Sequence, residues 1–553
     1  MEGGGDILIE GSVDYKGQPA HRSNSGGWRS ASFVIAVEVA ERFACNGISA
    51  NLIMYFTGPL GQSTATAAQN VNAWSGTATL LPLLGAFVAD SFLGRYRTII
   101  LASLIYVLGL GLLTVSATLT SLHISSHYPP WSHQFLFYFS LYLLAVAQGG
   151  HKPCLQAFGA DQFDGRDPEE AKAKSSFFNW WNFNISVGSL FTVLVSVYIQ
   201  DNLGWSLGFG IPFAVVLFSL LIFLLGSRTY RYSLKRNEKN PFIRMCRVVF
   251  ITIGRKWSSI KSGIAIETEA SMNSFEQFNE RSLNKPLLEV NGAIKDQRLC
   301  SIRDVEEAKA LMKLMPIWVS CLAIAVVSAQ ASTFFTKQAA TMDRRIVFGL
   351  QIPAASVQSF GWSTAILFIP IYDRILVPAS RALTGKSSGI TMLQRIGTGL
   401  VIASLCMISA ALVEKKRLKT AEEYGLANLP NETIPLSVWW LVPQYVLCGV
   451  ASVFTNVGLQ EFFYDQVPKD IRSVGASLYL SVFGVGNFLS GFLVSIIDKS
   501  TSGDGQDGWF CHNINQAHLD YFYWLLAALT AVGFISYLYF ARSYIYNRES
   551  MIS

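Results

Sequence analysis

Two carboxylates and a guanidinium stand close together in an otherwise apolar stretch. They are Glu38, Glu41 and Arg42, set among Phe33, Val34, Ile35, Ala36, Val37, Val39, Phe43 and Ile48. Spacings of three and four residues put Glu41 and Arg42 on the helical face of Glu38. Charges at membrane depth are costly and line a water-filled cavity or an ion path. Two carboxylates beside a guanidinium can hold or lose a proton as their partners change. The chemistry this pattern offers is proton coupling.

The rest of the chain supplies the membrane. Of 553 residues, 51% are hydrophobic and 14% charged, against about 25% charged in an average soluble protein. The 37 Phe, 21 Tyr and 13 Trp suit aromatic belts at membrane surfaces. A net charge of +6 implies no nucleic-acid partner. The eight cysteines are scattered without a CxxC pair, so neither a disulfide framework nor a zinc site is expected. The histidines other than His151 show no metal-ligand spacing, and the glycine clusters lack a Walker pattern. With no nucleophile–base pair either, the residues exclude an ATPase, a primary pump and a membrane enzyme. The expected coupling ion is the proton, with no cofactor.

Apolar runs of about 20 residues can span a bilayer. Twelve are read here: 32–56, 71–92, 98–119, 135–158, 177–199 and 204–225, then 310–335, 353–377, 392–413, 438–462, 474–497 and 521–540. This predicts an all-α membrane protein with five parts: a polar tail (1–30), a six-helix half (31–227), a linker (228–305), a second six-helix half (306–543) and a short tail (544–553). The linker opens with a basic stretch. Its segment 241–260 mixes apolar residues with arginine and could lie on the membrane as an amphipathic helix or be a solvated connection. Six helices, a linker and six more is the layout of a major-facilitator fold, two halves around a midplane cavity.

Basic residues after the second, sixth and eighth spans (Arg95 and Arg97; the linker; Arg374, Arg381 and Lys386) place those loops and both termini in the cytosol. One run disagrees: Glu414-Lys415-Lys416-Arg417-Leu418-Lys419 follows the ninth span and falls in an outer loop, partly offset by its own acids. The sequon Asn431-Glu432-Thr433 lies in the same loop.

Several stretches carry a resemblance. Glu38-Val39-Ala40-Glu41-Arg42-Phe43, Gly85-Ala86-Phe87-Val88-Ala89-Asp90-Ser91-Phe92-Leu93-Gly94-Arg95-Tyr96, Gly149-Gly150-His151-Lys152-Pro153-Cys154, Phe158-Gly159-Ala160-Asp161-Gln162-Phe163 and Gln460-Glu461-Phe462-Phe463-Tyr464-Asp465-Gln466 together resemble the plant nitrate and peptide transporter family. That family is a branch of the proton-coupled oligopeptide transporters. The resemblance implies proton coupling through Glu38, Glu41 and Arg42, with Lys152 as the basic partner of the helix 1 acids. Asp90 and Arg95 flank Gly94, and could clamp helices in one transport state or simply cap the turn. His151, beside Lys152, is read as a packing residue rather than a relay.

Departures from the family pattern bear on substrate. Peptide-carrying relatives place a tyrosine pair after the ERF triplet; Cys45 and Asn46 stand there. They hold the peptide amine with a helix 10 acid; Ser452 stands there. Ser186 replaces the usual helix 5 Asn. An anion suits a pocket that lost an acid and kept Arg42 and Lys152. Some nitrate-carrying relatives have a histidine where Ser328 precedes Ala329 and Gln330. Nitrate would therefore need other donors: Asn46, Ser328, Gln330, Gln444, Ser452 or Asn456. Each could equally close a helix-packing hydrogen bond. The expected function is proton-coupled symport of a small solute, nitrate first, a small peptide or a larger anionic metabolite or hormone next. A passive anion facilitator and a transport-like sensor are the other classes. The plasma membrane and the vacuolar membrane are both open.

Overall fold

Without water to hydrogen-bond the backbone, an apolar run must close its hydrogen bonds within itself, and a helix does so. The computed structural model follows this rule. It describes residues 8–121, 130–164, 166–233, 302–345, 349, 351–384, 390–430, 432–468, 472–502, 508–511 and 513–544. The first half holds α1 (Gly27–Thr57), α2 (Thr64–Val88), α3 (Arg95–Ser121), α4 (Pro130–Ala160), α5 (Pro168–Asn202) and α6 (Trp205–Leu225). The second holds α7 (Ile302–Ala329), the short α8 (Phe334–Thr341), α9 (Ser359–Ile371), α10 (Val377–Thr384), α11 (Met392–Glu423), α12 (Val442–Asp465), α13 (Arg472–Thr501) and α14 (Leu519–Ser543). α7 with α8 forms one interrupted segment, and α9 with α10 another, so the described second half holds six segments long and apolar enough to cross a membrane. Nine described segments are long and apolar enough to cross a membrane. α1, α4 and α5 have the length, at 31, 31 and 35 residues.

Local chemistry sets several helix starts. Ser63 Oγ accepts from Thr66 N before α2, Asp167 caps α5 with Pro168 at its first position, and Thr391 with Gln394 forms a capping box on α11. Apolar residues face outward as well as inward. On α3, Leu101, Leu104, Leu108 and Val115 are exposed, while Ile99, Ala102, Tyr106, Leu110 and Leu113 are buried. An exposed apolar stripe on a long helix is where lipid chains lie.

The two halves repeat a design. A π-helical turn ends the second span (Ala89–Leu93), and another joins α9 to α10 within the eighth (Tyr372–Leu376). Arg95 at the start of α3 pairs with Asp161 just past α4, at 2.6 Å, and Arg395 near the start of α11 pairs with Glu461 near the end of α12. Gln162 just past α4 bonds the Arg231 backbone after α6, and Gln466 just past α12 accepts from Tyr544 after α14. Internal repeats of this kind build transporter halves.

Two faces are distinguished by what joins them. The linker face carries the α2–α3 turn and the end of α6; the far face carries the α1–α2 turn. Between described residues, the side-chain hydrogen bonds linking the halves lie toward the far face: Lys337 Nζ to Thr57 Oγ1 (3.2 Å), Gln358 Nε2 to Ala50 O (2.7 Å) and Asn72 Nδ2 to Ser490 Oγ (3.1 Å). Ala50, Val193, Val197 and Ala355 form a small buried apolar cluster beside them.

Three expectations change. α1 begins at Gly27 rather than 32, and the polar tail carries strands: β1 (Leu8–Val13) pairs antiparallel with β2 (Pro19–His21) and with β3 (Tyr232–Ser233) after α6. α11 does not end at 413 but runs to Glu423, so the basic run at 414–419 is helix and not outer loop. Arg417 is fully buried, bonds both Glu414 oxygens (2.8 and 2.7 Å) and reaches Thr341 and Asn515. Lys416 lies 3.3 Å from the centroid of the Trp440 ring. The charges that broke the positive-inside pattern are largely consumed by local partners. The linker segment 241–260 and Asn431 lie outside the described residues.

Close helix packing follows from small residues. A Cβ at Gly85 of α2 would overlap the Gly149 carbonyl of α4, and one at Gly150 would lie 2.8 Å from Ala102 Cβ of α3. Pro153 has no N–H to give the Gly149 carbonyl, which faces α2 at this crossing. Gly85→Val should therefore lower the stability of the detergent-purified protein by about 1–3 kcal/mol, read as a fall in unfolding temperature. Gly188→Val, where a Cβ meets nothing within 4 Å, should not.

Candidate functional site

α1 delivers its charged residues to the interior of the first half. Glu38 and Glu41 are each 2% exposed. Arg42 Nε donates to Glu38 Oε1 at 2.7 Å, one helical turn back, and stands 3.7 Å from Glu41 Oε2. Both Glu41 oxygens are buried and make no hydrogen bond to a described residue. One guanidinium thus serves two acids, with its bond committed to Glu38.

The glycine crossing described above brings α4 against this cluster. Lys152 is partly buried and lies within electrostatic reach of Cys45 on α1. Among the described residues no carboxylate comes within 4 Å of its amine, so the pairing with a helix 1 acid is not made in this conformation; Arg42 holds that place. His151 is 1% exposed, and its Nε2 lies 2.8 Å from Ser103 Oγ on α3.

The other expected residues divide. Asp90 is exposed and stands 3.8 Å from Arg95, whose closer partner is Asp161. Asp161 stands 66 positions from Arg95, and its place just past α4 carries no local signal of the pairing. Cys45 is buried near the acids. Asn46 donates to Ser189 of α5 at 2.7 Å. Ser328 donates to the Ile324 carbonyl of its own helix. Gln330 is fully buried and donates to Val326 O and Ser490 Oγ. Gln444 is fully buried and donates to Gln338, which also bonds Glu414 and Tyr523. For Gln330 and Gln444 the packing role is occupied. Ser452 and Asn456 are partly buried on α12.

A charge network at the linker face was not foreseen. Arg231, 2% exposed, bonds Glu170 through both terminal nitrogens, and Arg22 reaches Asp164, Asp167 and Glu170. It ties the N-terminal segment, the start of α5 and the chain leaving α6 into one body. The partners are separated by 61 to 148 residues, beyond the reach of any local pattern.

The PTR2 model of the POT family matches residues 96–510. The chain belongs to the POT family. NRT1/PTR FAMILY 5.10 of Arabidopsis thaliana is 57% identical over 552 residues, covering 98% of each chain. NRT1/PTR FAMILY 5.14 of the same plant is 53% identical, again over 98% of each. The fold is similar to that of an auto-inhibited POT family peptide transporter (TM-score 0.71, 20% identity, 94% of this chain and 98% of that one) and of the POT family transporter PepTSo (0.69, 20%, 93% and 98%). The protein is accordingly a multi-pass membrane transporter of major-facilitator type, not an enzyme.

Removing one partner of a buried ion pair strands the other charge. Arg42→Met should cost about 3–5 kcal/mol, measured as thermal unfolding in detergent. Adding Glu38→Gln should restore part of that loss and adding Glu41→Gln as well should restore most of it, because Arg42 faces both acids.

Proposed function

We propose that this POT family member is a proton-coupled symporter of a small anion, nitrate foremost, working by alternating access of its two halves. The observation that carries the reading is the buried set Glu38, Arg42 and Glu41, in which one cation faces two acids. Glu41 takes the proton: it has no hydrogen bond to a described residue to lose, and its neutralisation leaves Arg42 paired with Glu38 alone. With no carboxylate partner within 4 Å among the described residues, Lys152 is left to attract an anion. The solute and the proton then arrive at one region of the first half, which is what coupling requires.

The same reading sets the orientation. The linker face is cytosolic and the far face looks outward, so the bonds from Lys337, Gln358 and Asn72 close the outer gate, and the described conformation faces the cytosol. Arg95 with Asp161, and Arg395 with Glu461, brace the helix pairs that rock. The membrane is the plasma or the vacuolar membrane.

Small peptides are the second reading, favoured by the fold likeness to a POT family peptide transporter and to a POT family transporter solved with a thioalcohol-conjugated peptide. Ser452 weighs against it, since a peptide amine would lack a counter-charge on α12. The test is uptake of labelled nitrate and of a labelled dipeptide into cells expressing the chain, at acid and neutral external pH, with surface expression checked. Nitrate uptake should rise in acid and be lost in Glu41→Gln. Acid-stimulated dipeptide uptake without nitrate uptake would replace the anion reading with the peptide one. Nitrate uptake that ignores pH and survives Glu41→Gln would mean a passive facilitator.

A further inference from the structure

His151 is a buried imidazole whose hydrogen bonding fixes its tautomer. Ser103 Oγ donates its single hydrogen to Ile99 O at 2.8 Å. Its contact with His151 Nε2, also 2.8 Å, must then be accepted by the hydroxyl, so Nε2 carries the hydrogen. In a neutral ring this leaves Nδ1 as a bare lone pair. Nδ1 is buried and makes no hydrogen bond to a described residue.

The surroundings of the ring are specific. From α1, Glu38 is the acid within electrostatic reach of it, and Glu38 is itself held by Arg42 with Glu41 alongside. From α3, Tyr106 packs with its ring centroid 5.7 Å away and Ser103 holds Nε2. On α4 itself, Lys152 is the adjacent residue. α2 packs closely on α4 at Gly85 and Gly149, yet carries no titratable side chain between Thr64 and Val88. A packing histidine needs no vacant acceptor, and a buried polar atom without a partner is costly. An acceptor held in place by a bond on the opposite side of the ring, beside a cluster that exchanges protons, has a use.

We propose that His151 Nδ1 is a second proton-accepting site of the coupling cluster, holding a proton in exchange with Glu38 while Ser103 keeps the ring in register. This rests on the proton-coupling reading and adds a residue to it. The step is a proton transfer only: a proton bound to Nδ1 makes an imidazolium whose charge Glu38 balances, and its return to the carboxylate restores the neutral ring. When Arg42 is drawn to another partner, the imidazolium supplies the positive charge that the acid would lose.

The test separates the ring from the substrate. Full-length protein with 15N-labelled histidine is reconstituted in lipid and compared with His151→Gln, so that the difference spectrum isolates this ring among seven. Gln keeps an N–H near the Nε2 position for Ser103 but cannot take a proton; His151→Asn serves if that variant does not fold. The expected result is a neutral ring with hydrogen on Nε2, which gains a second proton on acidification. Glu38→Gln should move that gain to lower pH, because a stabilising negative charge is gone. In proteoliposomes, His151→Gln should keep exchange of labelled nitrate across equal pH and lose most acid-driven uptake. A ring with hydrogen on Nδ1, a ring that does not titrate, or unchanged acid stimulation in His151→Gln would overturn the proposal. Should the wild-type chain show no acid-driven nitrate uptake, the symport reading fails by itself, and the tautomer and its response to Glu38→Gln still decide whether His151 accepts a proton.

Discussion

Two acids and one guanidinium buried on a single helix cannot all be satisfied at once, and the first half is organised around that shortage. Arg42 bonds Glu38 and stands off from Glu41. A buried charge without partners is expensive, so a proton or a rearranged cation must cover the second acid. Each remedy changes which groups hold α1 to its neighbours. A local imbalance of one charge thereby becomes a preference between conformations, which is the currency of coupled transport.

The imbalance has consequences because α4 is brought so close. Gly85 against Gly149, with Pro153 withholding an N–H from that carbonyl, lets the backbones of α2 and α4 approach without intervening side chains. His151 and Lys152 follow these glycines directly, so the same feature that packs the helix places an imidazole and an amine beside α1. Elsewhere the chain removes such ambiguity. Glu414 and Arg417 are just as buried, but their bidentate bond and the links to Gln338, Thr341 and Asn515 leave nothing to exchange. The second half thus holds a closed ion pair where the first half holds an open one.

Much of this was legible in the sequence because hydropathy and local spacing carry it. The spans, the two halves and the α1 triad depend on runs of about 20 residues and on separations of three and four. What the sequence hid was long-range or ambiguous in register. Nothing local tells that Arg417 turns inward to Glu414 rather than outward to water, so an extended α11 read as an outer loop. Arg95 with Asp161 and Arg231 with Glu170 join residues 66 and 61 positions apart, and β1 finds β3 across the entire first half. His151 meets the Ser103 hydroxyl 48 residues away, a contact that no local pattern announces. For the candidate substrate donors, sequence could name the polar residues but not see that Gln330 donates to Val326 and Ser490 and Gln444 to Gln338.

The central claim is that the α1 cluster carries the proton that moves with the solute. Its most direct test is paired flux in proteoliposomes: labelled nitrate and lumenal pH followed together, for the wild-type chain and Glu41→Gln. The account predicts that wild-type nitrate entry brings protons with it, while Glu41→Gln still exchanges nitrate but no longer moves protons or concentrates nitrate against an acid-driven gradient. Proton movement coupled to nitrate that persists unchanged in Glu41→Gln would contradict it.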